Sequence, residues 1–111
     1  MSPTKKLPVV FYATAAGNEP VREWLKALSP KDRSLVGHDL LLVELGWPET
    51  GMPLVKPLGR GLFEVRSNIS NGIARVFFCV DDGCLLCLHA VVKKSHSVPA
   101  DIALARRRMK E

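Results

Sequence analysis

The sequence lacks the features that mark several other classes of protein. Its 111 residues contain no apolar run close to the roughly 20 residues needed to cross a bilayer. The N-terminal stretch VVFYA is too short for the apolar centre of a secretory signal, which takes about 7–15 residues, and no internal repeat or low-complexity tract is present. Two domains of this total length would each be too small to bury a core, so we expect residues 1–111 to form one cytoplasmic domain.

Cysteine is also scarce. Cys79, Cys84 and Cys87 cannot all pair with one another, and a cytosolic chain keeps such residues as thiols. The spacing of Cys84 and Cys87, with His89 nearby, superficially suggests a metal site. In a strand, however, these two cysteines would point to opposite faces, because their positions differ by an odd number. We therefore expect three buried thiols, with no metal ion and no cofactor.

The excess positive charge is confined to one half of the chain. Residues 1–55 carry six basic and six acidic side chains, whereas residues 56–111 carry ten basic and five acidic ones, which accounts for the whole net charge of +5. This asymmetry predicts a polyanionic or acidic partner for the second half, and a solvated basic surface is the alternative. The composition, with 47% hydrophobic and 24% charged residues, is otherwise that of a globular protein and argues against disorder.

The N-terminal half predicts one strand and a helical hairpin. Residues 7–13 are β-branched and aromatic, as in a strand. Asn18 is placed to cap a first helix, and Ser29 is placed to cap a second helix that runs to about Leu45 and ends at Gly46. Apolar residues recur at helical spacing in both: Val21, Trp24, Leu25 and Leu28 in the first, and Leu35, Val36, Leu42 and Val43 in the second. We expect Trp24 and Trp47 to be core residues, with Trp47 folded back over the sheet.

The C-terminal half predicts three strands and a last helix. A loop rich in proline and glycine is expected at 48–61, strands at 62–68, 73–80 and 85–92, and a helix at 97–109 with Ser97 as its cap. The last two strands are almost continuously apolar, as strands covered on both faces are. The predicted fold is therefore α+β, with the order β-α-α-β-β-β-α and a small antiparallel sheet packed by the N-terminal helical hairpin.

Several segments, taken in this order and spacing, carry a resemblance to a known superfamily. They are PVVFYATAAGNEPVREWLKAL, LVELGWPETGMPLVKPLGRGLFEVRSN, ARVFF and LHAVVKKSHSVPADIALARRRM, and together they cover nearly the whole chain. The sequence resembles the RelE/ParE superfamily of toxins from bacterial type II toxin–antitoxin modules. Within that superfamily it is similar to the phage-derived, HigB-like branch. The resemblance implies the RelE-like α+β fold.

The resemblance also implies a function. Relatives of this branch are metal-independent, ribosome-dependent endoribonucleases, or mRNA interferases, which cut messenger RNA in the decoding site, inhibit translation and arrest growth. A HigA-like helix-turn-helix antitoxin is the implied partner, besides the translating ribosome and its mRNA. Two alternatives stay open, because fold alone does not define function. One is a ParE-like toxin that poisons DNA gyrase, and the other is an inactive module that only binds the antitoxin.

Cleavage of RNA through its own 2′-hydroxyl needs three kinds of group. One takes the 2′-OH proton, cations stabilise the charged phosphorane, and a donor protonates the leaving 5′-oxygen. By resemblance, Arg66 in the segment LFEVR binds the scissile phosphate, a task that suits a bidentate guanidinium. Arg75 opens an otherwise apolar strand, where it either pairs with Glu64 across the hairpin or faces the phosphate.

Further candidates follow the last strand. Lys93 and Lys94 fall where the family has its basic site residue, and strand alternation directs only one of them into the cleft. His96 has the side chain best suited to proton transfer near neutral pH and is the candidate donor. Tyr12, the one tyrosine, belongs to the first strand, so the site lacks the phenol found in some relatives and its general base is unassigned.

The remaining basic candidates are assigned to contacts with RNA rather than to chemistry. This set comprises Arg60, Lys94, Arg106 and Arg107. The arginines at the end of the last helix also suit the negative end of the helix dipole, so a solvated helix end is the alternative for them. His38 and His89 are expected to be packed or surface histidines rather than site residues.

Overall fold

Eight elements of secondary structure lie within residues 6–51, 53–93 and 99–111, the parts of the chain that the computed structural model describes. In chain order they are β1 (Val9–Phe11), α1 (Pro20–Ala27), α2 (Pro30–Gly46), β2 (Val55–Gly59), β3 (Leu62–Ile69), β4 (Gly72–Asp81), β5 (Cys84–Lys93) and α3 (Pro99–Met109). The predicted α+β class is confirmed.

The strands form a single mixed sheet. Its order is β1-β5-β4-β3-β2, and β2 to β5 make an antiparallel meander of hairpins. β1 pairs in parallel with β5, with Val9 opposite Leu85 and Phe11 opposite Cys87. A parallel neighbour requires a crossover connection, and the chain between β1 and β5 provides it. β1 covers three residues, Val9–Phe11, and is shorter than the predicted strand at 7–13. Leu7, two residues before β1, is nevertheless buried.

Helices cover the sheet on both faces, and this accounts for the continuously apolar sequences of β4 and β5. The helical hairpin of α1 and α2 packs on one face, where the core contains Val21, Val36, Leu40, Val43, Val65, Val76, Phe78 and Cys87. α3 packs on the other face through Ala105, in a second core with Leu62, Phe77, Cys79 and Leu88. Because each face of the sheet is covered by an apolar layer, β4 and β5 bury the side chains that point to either face.

Trp47 lies over the sheet as predicted. Its ring meets Phe63 and Phe78 edge-on, with centroid separations of 5.0 and 5.6 Å, while Phe63 and Phe78 stack on each other at 5.4 Å. Edge-to-face contacts of this kind add stability beyond area burial. Trp24 is partly buried against the same core, so both tryptophans are packing residues.

The helical hairpin is fixed by polar contacts at its turn. Ser29 caps α2 as predicted, since its Oγ accepts a hydrogen bond of 3.2 Å from the backbone N–H of Asp32. Arg33 donates to three carbonyl oxygens at the C-terminal end of α1, those of Leu25, Lys26 and Leu28, at 3.1–3.3 Å. These bonds satisfy carbonyls that the end of a helix leaves without a partner.

Two local predictions are wrong. The segment 48–61 is not only a loop, because it contains β2, which pairs with β3 and adds a strand to the predicted order. Pro57 is tolerated there because β2 is an edge strand with a bulge beside it. Asn18 is not the cap of α1: the cap position is Glu19, without a side-chain bond, and the backbone N–H of Asn18 instead donates to Thr14 Oγ1.

At the chain's other end, α3 is described from Pro99, so the predicted cap Ser97 lies outside the described residues. Across the described parts of the chain, no helix combines the length and the apolar character needed to span a membrane.

Candidate active site

Two of the predicted site arginines face each other across the central hairpin. Arg66 of β3 is the register partner of Arg75 of β4, and Glu64 stands two residues before Arg66 on the same face. Like charges placed directly opposite in a sheet repel each other. The carboxylate of Glu64 relieves this repulsion, because its Oε1 accepts a 2.9 Å hydrogen bond from Arg75 Nη1 and lies 3.7 Å from Arg66 Nε.

The three members of this cluster differ sharply in exposure. The side chains of Glu64 and Arg75 are 1% and 4% exposed, whereas that of Arg66 is 30% exposed. Of the two alternatives for Arg75, the structure therefore shows the pair with Glu64. Separating a buried ion pair is costly, because either charge alone would be left away from water without a partner. Glu64 and Arg75 consequently form a fixed base from which the Arg66 guanidinium extends toward solvent.

Lys93 lies at the same end of the same face. It is the last residue of β5 and pairs in register with Ile73, which precedes Arg75 by two positions on β4. Arg66, Arg75 and Lys93 thus share one face on three adjacent strands. Strand spacing places the backbones of Arg66 and Lys93 roughly 12 Å apart. Lys94 and His96 lie outside the described residues.

A cavity of about 280 Å³ opens beside Arg66. It is lined by Asp39, Pro53, Leu54, Arg66, Asn68 and Ile73. Asp39 comes from α2, so the helical hairpin and the end of the sheet build this cavity together. Sequence reasoning missed Asp39, although a signal was present. Asp39 follows Val36 by three residues and precedes Val43 by four, which places a partly buried carboxylate beside the apolar residues that α2 turns toward the sheet.

The other predicted RNA-binding arginines lie at the opposite end of the sheet. Arg60 is in the turn between β2 and β3, with a φ of 53°, six residues or roughly 20 Å of strand from Arg66. Arg106 donates to the carbonyl oxygens of Leu58 and Gly59 at 2.8 and 3.1 Å. Arg107 is exposed on α3. The structure therefore does not bring Arg60, Arg106 and Arg107 together with the Arg66 cluster.

α3 is also attached to the sheet through His89 and Arg108. His89 Nε2 lies 2.8 Å from Asp101 Oδ1, and the imidazole stacks on Phe77 at a centroid separation of 5.8 Å. This histidine is packed, as expected. Arg108 donates a 2.7 Å hydrogen bond to the carbonyl of Leu88, the extra residue of a bulge in β5. Because the bulge leaves Leu88 without a partner in β4, its carbonyl is free to accept the hydrogen bond from Arg108.

Neither Tyr12 nor the buried thiols are set up for nucleophilic or base chemistry. The hydroxyl of Tyr12 donates to the Glu111 carboxylate, and this hydrogen bond raises the pKa of the phenol. Burial raises the pKa of the Cys87 thiol to about 12 and also raises that of Cys79. Cys79 and Cys87 are buried as predicted, whereas Cys84 is partly exposed. Across residues 6–51, 53–93 and 99–111, no group of His, Cys, Asp or Glu side chains is arranged to hold a metal ion.

A helical hairpin and a C-terminal helix on opposite faces of an antiparallel meander, with a cationic cluster at one end, define a small α+β protein consistent with the RelE-like fold. Residues 23–110 match the family described as phage derived protein Gp49-like (DUF891), and the chain belongs to that family. No curated protein matches the chain.

Proposed function

We propose that this protein is the toxin of a type II toxin–antitoxin system and acts as a ribosome-dependent mRNA endoribonuclease of the HigB-like kind. The observation that carries the proposal is the position of Arg66. Its side chain is partly exposed beside a cavity, and the Glu64 carboxylate of the buried Glu64–Arg75 pair lies 3.7 Å from its Nε. Membership of the Gp49-like family supports the same function.

In the proposed reaction, Arg66 binds the scissile phosphodiester. The RNA 2′-oxygen attacks the adjacent phosphorus, the bond to the 5′-oxygen breaks, and the products are a 2′,3′-cyclic phosphate and a free 5′-hydroxyl. Extra negative charge develops on the phosphoryl oxygens during this step. A guanidinium donates two parallel hydrogen bonds to such oxygens, and a preorganised donor stabilises the transition state without reorganisation. In this proposal the Glu64 carboxylate, 3.7 Å from Arg66 Nε, orients the guanidinium.

The other site residues take different roles in the proposal. Lys93, at the end of β5, supplies a second cation to the phosphate. Arg75 acts as a positioning residue through Glu64 rather than as a phosphate ligand, because its guanidinium is buried. His96, outside the described residues, stays the candidate donor of the proton to the 5′-oxygen, and the group that takes the 2′-hydroxyl proton is unassigned.

The partners in this proposal follow from charge and family. The translating ribosome and its mRNA are polyanions, and the net charge of +5 in residues 56–111 favours their binding. A HigA-like helix-turn-helix antitoxin neutralises the toxin in the cytoplasm. Arg60, Arg106 and Arg107 lie about 20 Å from Arg66 along the sheet, so in this proposal they contact ribosomal RNA or antitoxin, away from the reacting phosphate.

The experiment is a coupled translation extract that receives the purified full-length chain. We expect truncated mRNA only while ribosomes translate, with 2′,3′-cyclic phosphate ends. Arg66→Ala removes the cleavage, whereas Arg22→Ala, which removes the same charge from the exposed surface of α1, leaves it intact. DNA breaks that require gyrase, without mRNA cleavage, would instead identify a ParE-like poison.

A second measurement addresses the inactive-module alternative. Induced expression in a bacterial host is expected to arrest growth, and co-expression of the neighbouring antitoxin gene is expected to restore it. Growth arrest that the neighbouring gene does not relieve would be consistent with a toxic enzyme but would contradict the proposed antitoxin. Normal growth with a stable, folded chain that still binds the antitoxin would identify the inactive module.

A further inference from the structure

The cavity beside Arg66 has the chemistry of a site for one nucleobase. Its walls are apolar, formed by Pro53, Leu54 and Ile73, and its polar groups are the carboxylate of Asp39, the amide of Asn68 and the guanidinium of Arg66. Drug-sized ligands occupy pockets of about 300–1,000 Å³, so a cavity of about 280 Å³ fits a ring system rather than a trinucleotide. Proteins read an unpaired base by packing its faces against aromatic or apolar side chains or an arginine guanidinium and by hydrogen bonds to its edge.

Asp39 argues against a phosphate in the cavity itself. Its carboxylate takes part in none of the hydrogen bonds or ion pairs made by the described residues, and it lies on the partly buried side of α2. An anionic phosphate next to this carboxylate would be repelled, whereas a neutral group with hydrogen-bond donors would be attracted. Arg66 lines the same cavity and is partly exposed, so a phosphate bound to its guanidinium would place the neighbouring base near the carboxylate.

The acceptor-only nature of a carboxylate selects among the bases. An ionised Asp has two acceptor oxygens and no donor, so it matches a base edge that offers two adjacent donors. Guanine has this edge, with N1–H beside the N2 amino group. Adenine and cytosine each place an acceptor next to their amino group, and uracil places its one N–H between two acceptors. Asn68 and Arg66 provide donors for the O6 and N7 acceptors of guanine.

We propose that this cavity, built by Asp39, Asn68 and Arg66 between apolar walls, binds a guanine base next to the phosphate held by Arg66. The inference rests on the proposed function, since it names the base that flanks the cleaved bond. It assigns to Asp39 the role of specificity residue. An RNA base, rather than a side chain of a protein partner, is favoured because Arg66 offers a phosphate site at the same opening.

The first experiment measures binding without cleavage. The full-length protein is titrated with GMP, AMP, CMP and UMP, and the backbone amide shifts are followed by NMR. A good bidentate pair is worth about 1–3 kcal/mol of discrimination, so GMP is expected to bind roughly 5- to 150-fold more tightly than the other three, with the largest shifts at Asn68 and Ile73. Asp39→Asn removes this preference, because an amide cannot accept two hydrogen bonds on one side.

Asp82→Asn is the matched control, with the same change of charge in the exposed turn between β4 and β5, and it retains the preference. Equal affinity for all four nucleotides would overturn the inference. So would shifts centred on Arg106, at the other end of the sheet. Competition for the cavity by the antitoxin without any nucleotide preference would show that a protein side chain is the natural occupant, and would overturn it as well.

The second experiment separates this inference from the proposed function. Cleavage sites in translated mRNA are mapped for the wild type and Asp39→Asn. Guanine is expected to flank the cut in the wild type, and its enrichment is lost in the variant while cutting spreads to other bases. Cleavage with no guanine enrichment refutes the base pocket and leaves the nuclease. Guanine-selective binding without any cleavage refutes the nuclease and leaves the pocket.

Discussion

Glu64 and Arg75 form an ion pair of 2.9 Å in the interior, and both side chains are almost completely buried. Removing one member of such a pair leaves an uncompensated charge away from water. We therefore expect Glu64→Leu or Arg75→Met alone to lower the free energy of unfolding by about 3–5 kcal/mol, as measured by urea denaturation. The double variant is expected to regain most of that loss, because both charges leave together.

The same variants separate positioning from folding. In the folded double variant Arg66 loses its carboxylate partner, so we expect mRNA cleavage to fall at least about tenfold although stability is restored. Full cleavage by the double variant would show that Arg66 needs no support from Glu64. A double variant as unstable as the sum of the single ones would contradict the coupling of the pair.

Asp32 connects the start of α2 with the turn between β3 and β4. Its Oδ1 accepts hydrogen bonds from the hydroxyl and the backbone N–H of Ser70, at 2.8 and 3.2 Å, and these bonds lower its pKa. A carboxyl whose pKa is lower in the folded state stabilises the fold above its unfolded pKa of about 3.9. This contribution is lost as the pH falls through the folded value.

We therefore expect the urea midpoint of the wild type to decrease as the pH is lowered from about 5 to 2, and Asp32→Asn to show a flatter profile in that range. Asp82→Asn, in an exposed turn, serves as the control and keeps the wild-type slope. Parallel profiles for the wild type and Asp32→Asn would show that this carboxyl does not link folding to pH.

Arg106 and Arg107 are neighbours in sequence with different surroundings. Arg106 makes two hydrogen bonds to the carbonyls of Leu58 and Gly59, whereas Arg107 is exposed. Arg106→Ala is expected to cost about 1–3 kcal/mol of stability, from two hydrogen bonds. Arg107→Ala is expected to change stability by less than about 0.5 kcal/mol. Denaturant unfolding of the two variants and the wild type measures both changes in stability.

Ribosome binding distinguishes their functional roles. If Arg107 contacts RNA, its removal weakens binding to ribosomes. It also lowers the slope of the logarithm of the binding constant against the logarithm of the salt concentration by about one, as measured by sedimentation at several salt concentrations. An unchanged salt dependence for Arg107→Ala would show that Arg107 does not contact RNA. The alternative from the sequence, a solvated helix end, would then hold.

Sequence patterns predicted those parts of the fold that depend on local order. Ser29 as a cap and Trp47 over the sheet follow from capping chemistry and hydrophobic spacing, and both are found. β2 was missed because an edge strand with Pro57 and a bulge shows no alternating pattern, and its pairing with β3 is a tertiary interaction.

The candidate site was predictable in composition but not in geometry. Arg66 and Lys93 were chosen by resemblance and Arg75 because it opens an apolar strand, and their common face follows from strand pairing that the sequence alone does not define. The burial of Arg75 depends on Glu64, which the sequence offered only as an alternative. Asp39 reaches the cavity because α2 packs across the sheet, and a contact between residues so distant in sequence is set by the three-dimensional fold.

The three cysteines provide a direct test of the burial pattern. Cys87 is fully buried with a pKa of about 12, and Cys79 is buried with a raised pKa, whereas Cys84 is partly exposed at the start of β5. The thiolate is the reactive form, so the raised pKa values and the burial of Cys79 and Cys87 both slow their reaction at pH 8. When the native protein is treated with a thiol reagent at pH 8, we expect one cysteine to be labelled quickly. In denaturant we expect all three to be labelled.

Cys84→Ser is expected to remove the fast reaction, and mass spectrometry counts the labels. Fast labelling of two or three thiols in the native state would contradict the burial of Cys79 and Cys87 between the sheet and its helices.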